Sequence, residues 1–382
     1  MKNPTSLNNN QITSQENFFQ KIYRIFSNLL RSNPQVNDRD LNSKLNESFN
    51  YYSSYYKNEV NHHVQDPFNS KTGLINLLND CYMITFLQIL FHTPNFINIL
   101  RSYNKNGDEI INNLISVSEY PFNAGYFYKL KQSLGAINPE YSKPMSNDSQ
   151  EFGIDLINYL ISGTKEQIYE NNNEIENKEN IDFIQLKKIV YENYISTYQK
   201  KVNELEKLFL WNQIDIFCGQ NFKNPTISSN LHLELTLQKN QDCVELEKLI
   251  ENKYSSDNSK ISQNQIVINS KIASLPEILI ISINRVLNNN RYINTTRLLF
   301  KETLDLKKYI DFDLFEDENE KTTYQLYAVN ECFHNYKTSH YKCYIKLENK
   351  WFIFDDDKRV EEFRGHFHYS PFIVGIFYRR DH

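Results

Sequence analysis

Cys81 stands where a loop rich in Asn and Asp, Gly73-Leu74-Ile75-Asn76-Leu77-Leu78-Asn79-Asp80, gives way to an apolar stretch. Met83, Phe86, Leu87 and Leu90 then recur at helical spacing and Pro94 supplies a stop, so the cysteine falls in the first turn of a predicted helix. A thiol there meets unpaired N–H groups and the positive end of the helix dipole, and both favour the thiolate. The bland alternative is a buried thiol that only fills space. A catalytic cysteine needs a base within hydrogen-bond reach and a third group to orient that base. Among nine histidines, His340 opens the alternating run His340-Tyr341-Lys342-Cys343-Tyr344-Ile345-Lys346. This strand, a turn over Leu347–Lys350 and a second strand, Trp351–Phe354, read as a β-hairpin that returns Asp355 to the side of His340. A carboxylate in that position fixes the imidazole tautomer and stabilises the imidazolium. Taken alone, Asp355-Asp356-Asp357 would equally suit a solvated turn.

These residues need a scaffold, and the chain can build one. Its 382 residues carry 40% hydrophobic side chains, with 26 Tyr and 25 Phe against 9 Gly and 10 Pro, which supports a substantial core. A net charge of −5 argues against nucleic acid as the main partner. Five irregularly spaced cysteines argue against a secreted disulfide framework and for a reducing compartment, cytoplasmic or nuclear. The N-terminus shows no apolar signal region, and no run is long enough to span a bilayer, so no membrane association is expected.

Residues 1–65 read as an extension, partly disordered, in which Thr13 and Glu16 cap an amphipathic helix bearing Phe18, Phe19, Ile22, Phe26, Leu29 and Leu30. A second apolar-periodic stretch, Phe152, Leu156, Ile157, Leu160 and Ile161, follows Asp148 and Glu151. Residues 164–182 form a polar Asn/Glu/Lys-rich insertion, and 183–210 a long exposed helix. From about 215 to 380 short β-branched and aromatic runs take over: Leu231–Leu237, Glu277–Ile283, Tyr324–Val329, Tyr341–Lys346, Trp351–Phe354 and Phe372–Tyr378. The pattern implies an α+β architecture within 66–382, with a helical lobe at about 70–165 and a β-rich one after it.

At these residues a family likeness emerges. Gly73–Met83 resembles the cysteine box of the ubiquitin-specific proteases, G-L-x-N-x-G-x-x-C-Y-M. Tyr324–Val329, Ser339-His340-Tyr341 and Trp351–Asp356 resemble the histidine box, and Asn147-Asp148-Ser149-Gln150-Glu151-Phe152 the Q-D-A-x-E-F segment. Leu275–Val286 and Leu304-Asp305-Leu306 are similar to the L-P-x-x-L-x-x-x-x-x-R-F and L-D-L blocks, and Phe372–Arg379 to the final strand. The blocks occur in the family's order from about 70 to 380. The resemblance implies a papain-like fold with helical thumb, β palm and reduced fingers, and a thiol-dependent deubiquitinase. Cys81 would be nucleophile, His340 base and then acid, and Asp355 its orienting partner, with Asp356 in support. Asn76 would donate to the oxyanion, and Asp148 and Glu151 would line the channel for ubiquitin's Leu-Arg-Gly-Gly tail. Without the resemblance, Asp148 and Glu151 equally suit an acidic pair at a helix N-terminus. The implied partners are ubiquitin and ubiquitinated proteins, met by a monomer needing no cofactor. A silent ubiquitin-binding scaffold and a protease for a ubiquitin-like modifier are the rivals.

Several positions depart from that pattern. Leu78 replaces a glycine, implying either an ordinary backbone there or a perturbed oxyanion hole. Ser339 replaces the glycine before the histidine. Asp80 precedes the cysteine, where it can cap the helix or, as an anion, oppose thiolate formation and shift the activity optimum to alkaline pH. Cys218, Cys243, Cys332 and Cys343 form no C-x-x-C pairs, so no zinc ribbon is expected, and His366 and His368 read as surface residues.

Overall fold

The computed structural model describes residues 71–103, 107–164, 182–198, 203–218, 223–237, 241–254, 267–287, 292–314, 321–334, 339–365 and 370–381. The helix expected within 1–65, nearly all of the 164–182 insertion, and His366 and His368 lie outside them. Residues Gln65–Phe122 and Tyr126–His382 form one unit, described below; of the other, Met1–Val64 with Asn123–Gly125, only 123–125 are described.

The helices are α1 (Cys81–Phe91), α2 (Phe96–Tyr103), α3 (Glu109–Glu119), α4 (Ala124–Leu134), α5 (Ser149–Thr164), α6 (Phe183–Tyr198), α7 (Glu204–Phe209) and α8 (Leu246–Tyr254). Helix α1 starts at the cysteine and is buried at all 11 of its residues, polar Thr85 and Gln88 included. A helix apolar on every side must sit inside the domain rather than on its surface. It packs between α5 and the sheet: Phe86 fills the space over Gly153 of α5, where a Cβ would collide with its ring, and meets Phe377 edge-on at 5.5 Å. Thr93, just beyond α1, closes the helix end by donating to the Ile89 carbonyl at 3.0 Å. Among the described residues no single helix is long and apolar enough to cross a membrane.

The strands that matter here are β1 (Trp211–Cys218), β2 (Lys223–Asn230), β3 (His232–Thr236), β4 (Val267–Ile272), β5 (Ile278–Asn284), β6 (Thr303–Asp305), β7 (Thr323–His334), β8 (Ser339–Leu347), β9 (Lys350–Phe354), β10 (Glu361–Phe363) and β11 (Ile373–Arg380). One large sheet runs β10-β9-β8-β7-β11-β5-β3, with β6 also on β7, and a smaller one runs β2-β1-β4. Pairing in the large sheet is antiparallel except between β3 and β5. Every strand expected in the β-rich half is present, and Leu233, Leu235, Leu279, Ile281, Tyr324 and Ile376 share one core with Leu246 and Ile250 of α8.

Two expectations needed correction. The single helix over 183–210 is α6 and α7, because Asn203 starts a new helix: its side chain accepts from the Glu206 N–H while Glu206 accepts from the Asn203 N–H. Nor is α6 wholly exposed, since Lys187 is buried and ion-paired with Asp311 at 2.7 Å.

Candidate active site

The hairpin forms with the expected turn. Leu347 pairs with Lys350 and Cys343 with Phe354, and the residues between, Glu348 and Asn349, both have positive φ (50° and 63°). Beyond Phe354 the ladder ends, and Asp355 meets His340 at the open end. Asp355 Oδ1 lies 2.7 Å from His340 Nε2. With Nε2 so engaged, Nδ1 is the ring nitrogen available to a nucleophile. Cys81, at the start of α1, supplies one. Its thiol donates to the Ser339 carbonyl oxygen at 4.0 Å and lies close enough to His340 to help raise the imidazole. Three residues far apart in sequence thus meet because a buried helix, a strand start and a strand end converge.

Charge is arranged to keep a proton on the imidazole. Hydrogen bonding to Asp355, then to Cys81, pushes the His340 pKa up to about 10 against the desolvation that would lower it, with the Asp356 and Asp355 charges adding to the rise. Burial alone would raise Asp355, but His340 and Lys358, whose Nζ donates at 2.8 Å, hold it at about 2. His340 therefore carries its proton through neutral pH beside an ionised carboxylate. Lys358 was not singled out from the sequence; its position three residues after Asp355 was the available signal.

Asp356, whose charge adds to the rise at His340, also holds Asn76. Its Oδ2 accepts from Asn76 Nδ2 at 2.9 Å, while Asn76 Oδ1 accepts from the Asp80 N–H at 3.2 Å. Both ends of the Asn76 amide are therefore held, with one Nδ2 hydrogen left for an oxyanion. Burial raises Asp356 to about 6, against the pull of the Asn76 bond and of His340. Gly73 belongs to the same arrangement, because a Cβ there would collide with the Asp356 carbonyl oxygen. Glycine is needed at this position so that the loop and the carboxylate turn can touch.

Leu78 sits without strain, since the left-handed residue of the loop is Asn79, with φ 54°. Asparagine tolerates that conformation, and this is why a leucine can stand at 78. Asp80 holds the N-cap position of α1, but its side chain makes no cap hydrogen bond there. Its carboxylate turns back, accepts the Leu78 N–H at Oδ2 (3.1 Å) and forms an ion pair with Lys131 of α4. Both partners are buried, Asp80 at 0% exposure and Lys131 at 4%. The premise of an uncompensated anion beside the thiol, and with it of an alkaline optimum, does not hold. Nothing in the sequence marked Lys131, because a lysine within a helix ordinarily faces solvent.

Asp148 caps α5 through Oδ1, which accepts from the N–H groups of Gln150 (2.7 Å) and Glu151 (3.0 Å). It is exposed and close enough to Cys332 and Tyr341, beside His340, to raise both electrostatically. Glu151 is exposed on the first turn of α5, where its charge bears on Tyr141. No hydrogen bond or ion pair among the described residues joins either to Cys81, His340 or Asp355. Among the described residues, the one group of three metal-capable side chains in mutual reach is His340, Asp355 and Asp356, with ligand atoms within 4.8 Å. Of these atoms, His340 Nε2 and Asp355 Oδ1 pair with each other and Asp356 Oδ2 with Asn76, while Asp356 Oδ1 is buried without a hydrogen-bond partner among the described residues.

The profile of the family described as ubiquitin carboxyl-terminal hydrolase matches residues 72–366, more than half of the chain. Among solved structures, the fold is similar to the SAGA Ubp8/Sgf11/Sus1/Sgf73 DUB module bound to ubiquitin aldehyde, with a TM-score of 0.60 and 16% identity over 86% of this chain and 74% of that one. It is also similar to a Ubp8-Sgf11-Sgf73-Sus1 SAGA DUB module (TM-score 0.60, 20% identity, 86% and 73% covered). A yeast SAGA DUB module with a variant Sgf73 gives a TM-score of 0.59 at 17% identity, covering 86% and 74%. At such identities the structures speak for the fold, a mixed helix-and-sheet arrangement of the ubiquitin-specific protease type. The chain belongs to the ubiquitin carboxyl-terminal hydrolase family.

Proposed function

We propose that this protein is a thiol-dependent deubiquitinase that hydrolyses the isopeptide or peptide bond after the C-terminal glycine of ubiquitin. The observation that carries the reading is the convergence of Cys81, His340 and Asp355 from three separate elements, with Asn76 held at their side. Cys81 Sγ, as the thiolate beside the protonated His340, attacks the glycine carbonyl carbon, and the carbonyl oxygen takes the electron pair of the C=O π bond. Asn76 Nδ2–H and N–H groups of the first turn of α1, which lack acceptors within the helix, stabilise that oxyanion. His340 passes its proton to the leaving amine as the C–N bond breaks, leaving a thioester and a neutral imidazole. The imidazole then takes a proton from water, whose oxygen displaces the thiol and releases the glycine carboxylate. Asp355 keeps the ring oriented throughout. Asp148, near the His340 strand, and Glu151 would receive the tail arginine through charge-assisted bonds.

Residues 66–382 would form the catalytic domain, in a reducing compartment of cytoplasm or nucleus. The similar Ubp8 structures are complexes with Sgf11, Sus1 and Sgf73, which weighs against assuming that this chain acts alone. The test is labelling with ubiquitin that carries a C-terminal electrophile, beside probes built on ubiquitin-like modifiers. A ubiquitin adduct lost in Cys81→Ala is the expected result. Binding without an adduct would point to a scaffold, and labelling by another modifier alone to a different substrate.

A further inference from the structure

Lys131 and Asp80 are charged side chains that the mechanism above leaves unused. Lys131 lies on α4 between Leu130 and Ser133, all three buried, and its ammonium is ion-paired with Asp80, the residue immediately before Cys81. From there a polar path runs on without a break. Asp80 Oδ2 takes the Leu78 N–H, the Asp80 N–H meets Asn76 Oδ1, and Asn76 Nδ2 meets Asp356 Oδ2. We propose that Lys131 is a positioning residue for the thiol chemistry: it holds and neutralises Asp80, so that the Asn76–Asp80 loop presents its donors to the reacting carbonyl and no net negative charge adjoins the thiolate.

Two physical arguments support this. A carboxylate with no solvent exposure has to be paired, and the partner decides which way it points. Here it points backward, into the loop, where it organises the segment that carries Asn76 instead of the helix that carries Cys81. An unpaired anion at the residue before the nucleophile would also oppose the thiolate. The other charged or titratable groups around this point are His340, Asp355 and Asp356 at the hairpin end, Asp148 at the start of α5, Cys332 of β7, Tyr341 of β8 and Tyr82 of α1. Among them only His340 offers a positive charge, and Asp355 already engages it. Lys131 is therefore the charge that compensates Asp80.

The test uses the full chain and the variants Lys131→Met, Asp80→Asn and the double substitution. Two readouts are taken: the pH dependence of Cys81 alkylation by iodoacetamide, followed by peptide mass spectrometry, and kcat and KM on ubiquitin–coumarin. In Lys131→Met the buried Asp80, already raised by desolvation, rises further and ionises only as the pH climbs into the range where the thiol titrates, so the alkylation midpoint moves to higher pH by about one unit, the scale set by a nearby unpaired charge. On the same variant kcat falls about tenfold or more with KM within about twofold, the mark of a transition-state effect. The double substitution returns the midpoint to that of the parent. A purely structural lysine would lower the melting temperature and leave the midpoint in place, which overturns the proposal. Should Lys131→Met not yield folded protein, Asp80→Asn decides alone: it leaves a cation beside the thiol, so its midpoint moves to lower pH, and an unmoved one overturns the proposal. The kinetic arm rests on the deubiquitinase reading, whereas alkylation does not. Shifted midpoints in a protein that leaves ubiquitin–coumarin uncut would sink that reading and keep this one.

Discussion

At the scale of single residues, the carboxylates Asp355 and Asp356 are neighbours with opposite tasks. Ion pairing holds Asp355 at about 2, whereas burial lifts Asp356 to about 6. Below that value Asp356 takes a proton and becomes a weaker acceptor for Asn76, so activity should rise with pH through about 6. Stability moves the other way. The folded pKa lies above the ordinary 3.8, so the contribution of Asp356 is fully present below that value and is lost as pH rises through about 6. Asp356→Asn should remove the component of the activity profile near pH 6. In urea titrations it should gain stability relative to the parent as pH rises across the same window; a constant difference would contradict the assignment. Asn76→Ala, by loss of one oxyanion donor, should lower kcat by about 10²–10³, measured on ubiquitin–coumarin. Gly73→Ala pushes the carboxylate turn away, and its kcat should fall further than its melting temperature suggests. His340 and Asp355 were legible in the sequence because a hairpin obliges its ends to meet. The Asp80–Lys131 pair was not, since α4 and the cysteine loop come together only through the packing of the whole helical lobe.

At the scale of elements, the β8–β9 hairpin positions His340 against Asp355, and its turn is not optimal. Glu348 and Asn349 both occupy left-handed backbone, a conformation that costs an ordinary L-residue about 1–2 kcal/mol. Asn-Gly is the sequence such turns prefer. Glu348→Asn with Asn349→Gly should therefore stabilise the protein by about 1 kcal/mol, seen as a shift in the denaturation midpoint with kcat unchanged. A change in kcat would mean that the turn tunes the His340–Asp355 distance. Strands with alternating apolar residues were readable in this region. Strands β1, β2 and β4 were not: Pro225 interrupts β2, and Asn212, Gln213, Asp215, Asn269 and Ser270 give β1 and β4 a loop-like composition. Their pairing with one another, which local composition does not reveal, makes them strands.

For the molecule as a whole, the helical and β halves are locked through α1. Phe86 touches α5 at Gly153 and the sheet at Phe377, so any atom added between them has nowhere to go. Gly153→Ala should destabilise by about 1–3 kcal/mol, the usual cost of overpacking, and calorimetry would measure it; a neutral result would mean that the interface yields. The helix itself was readable from its period and from Pro94. Its complete burial was not, because a short apolar run looks the same whether it faces one neighbour or three.

That burial has a dynamic consequence. A backbone amide enclosed on every side exchanges its hydrogen with deuterium only when the whole domain opens, whereas one in a loop exchanges through local fluctuation. The amides of Phe86–Leu90 should therefore be among the last to take up deuterium, and that of the exposed Asn79 among the first. The nucleophile would then ride on the slowest-opening part of the molecule, joined directly to one of the fastest. Local opening of that loop would release Asn76 from Asp356 while the helix that begins at Cys81 stays closed.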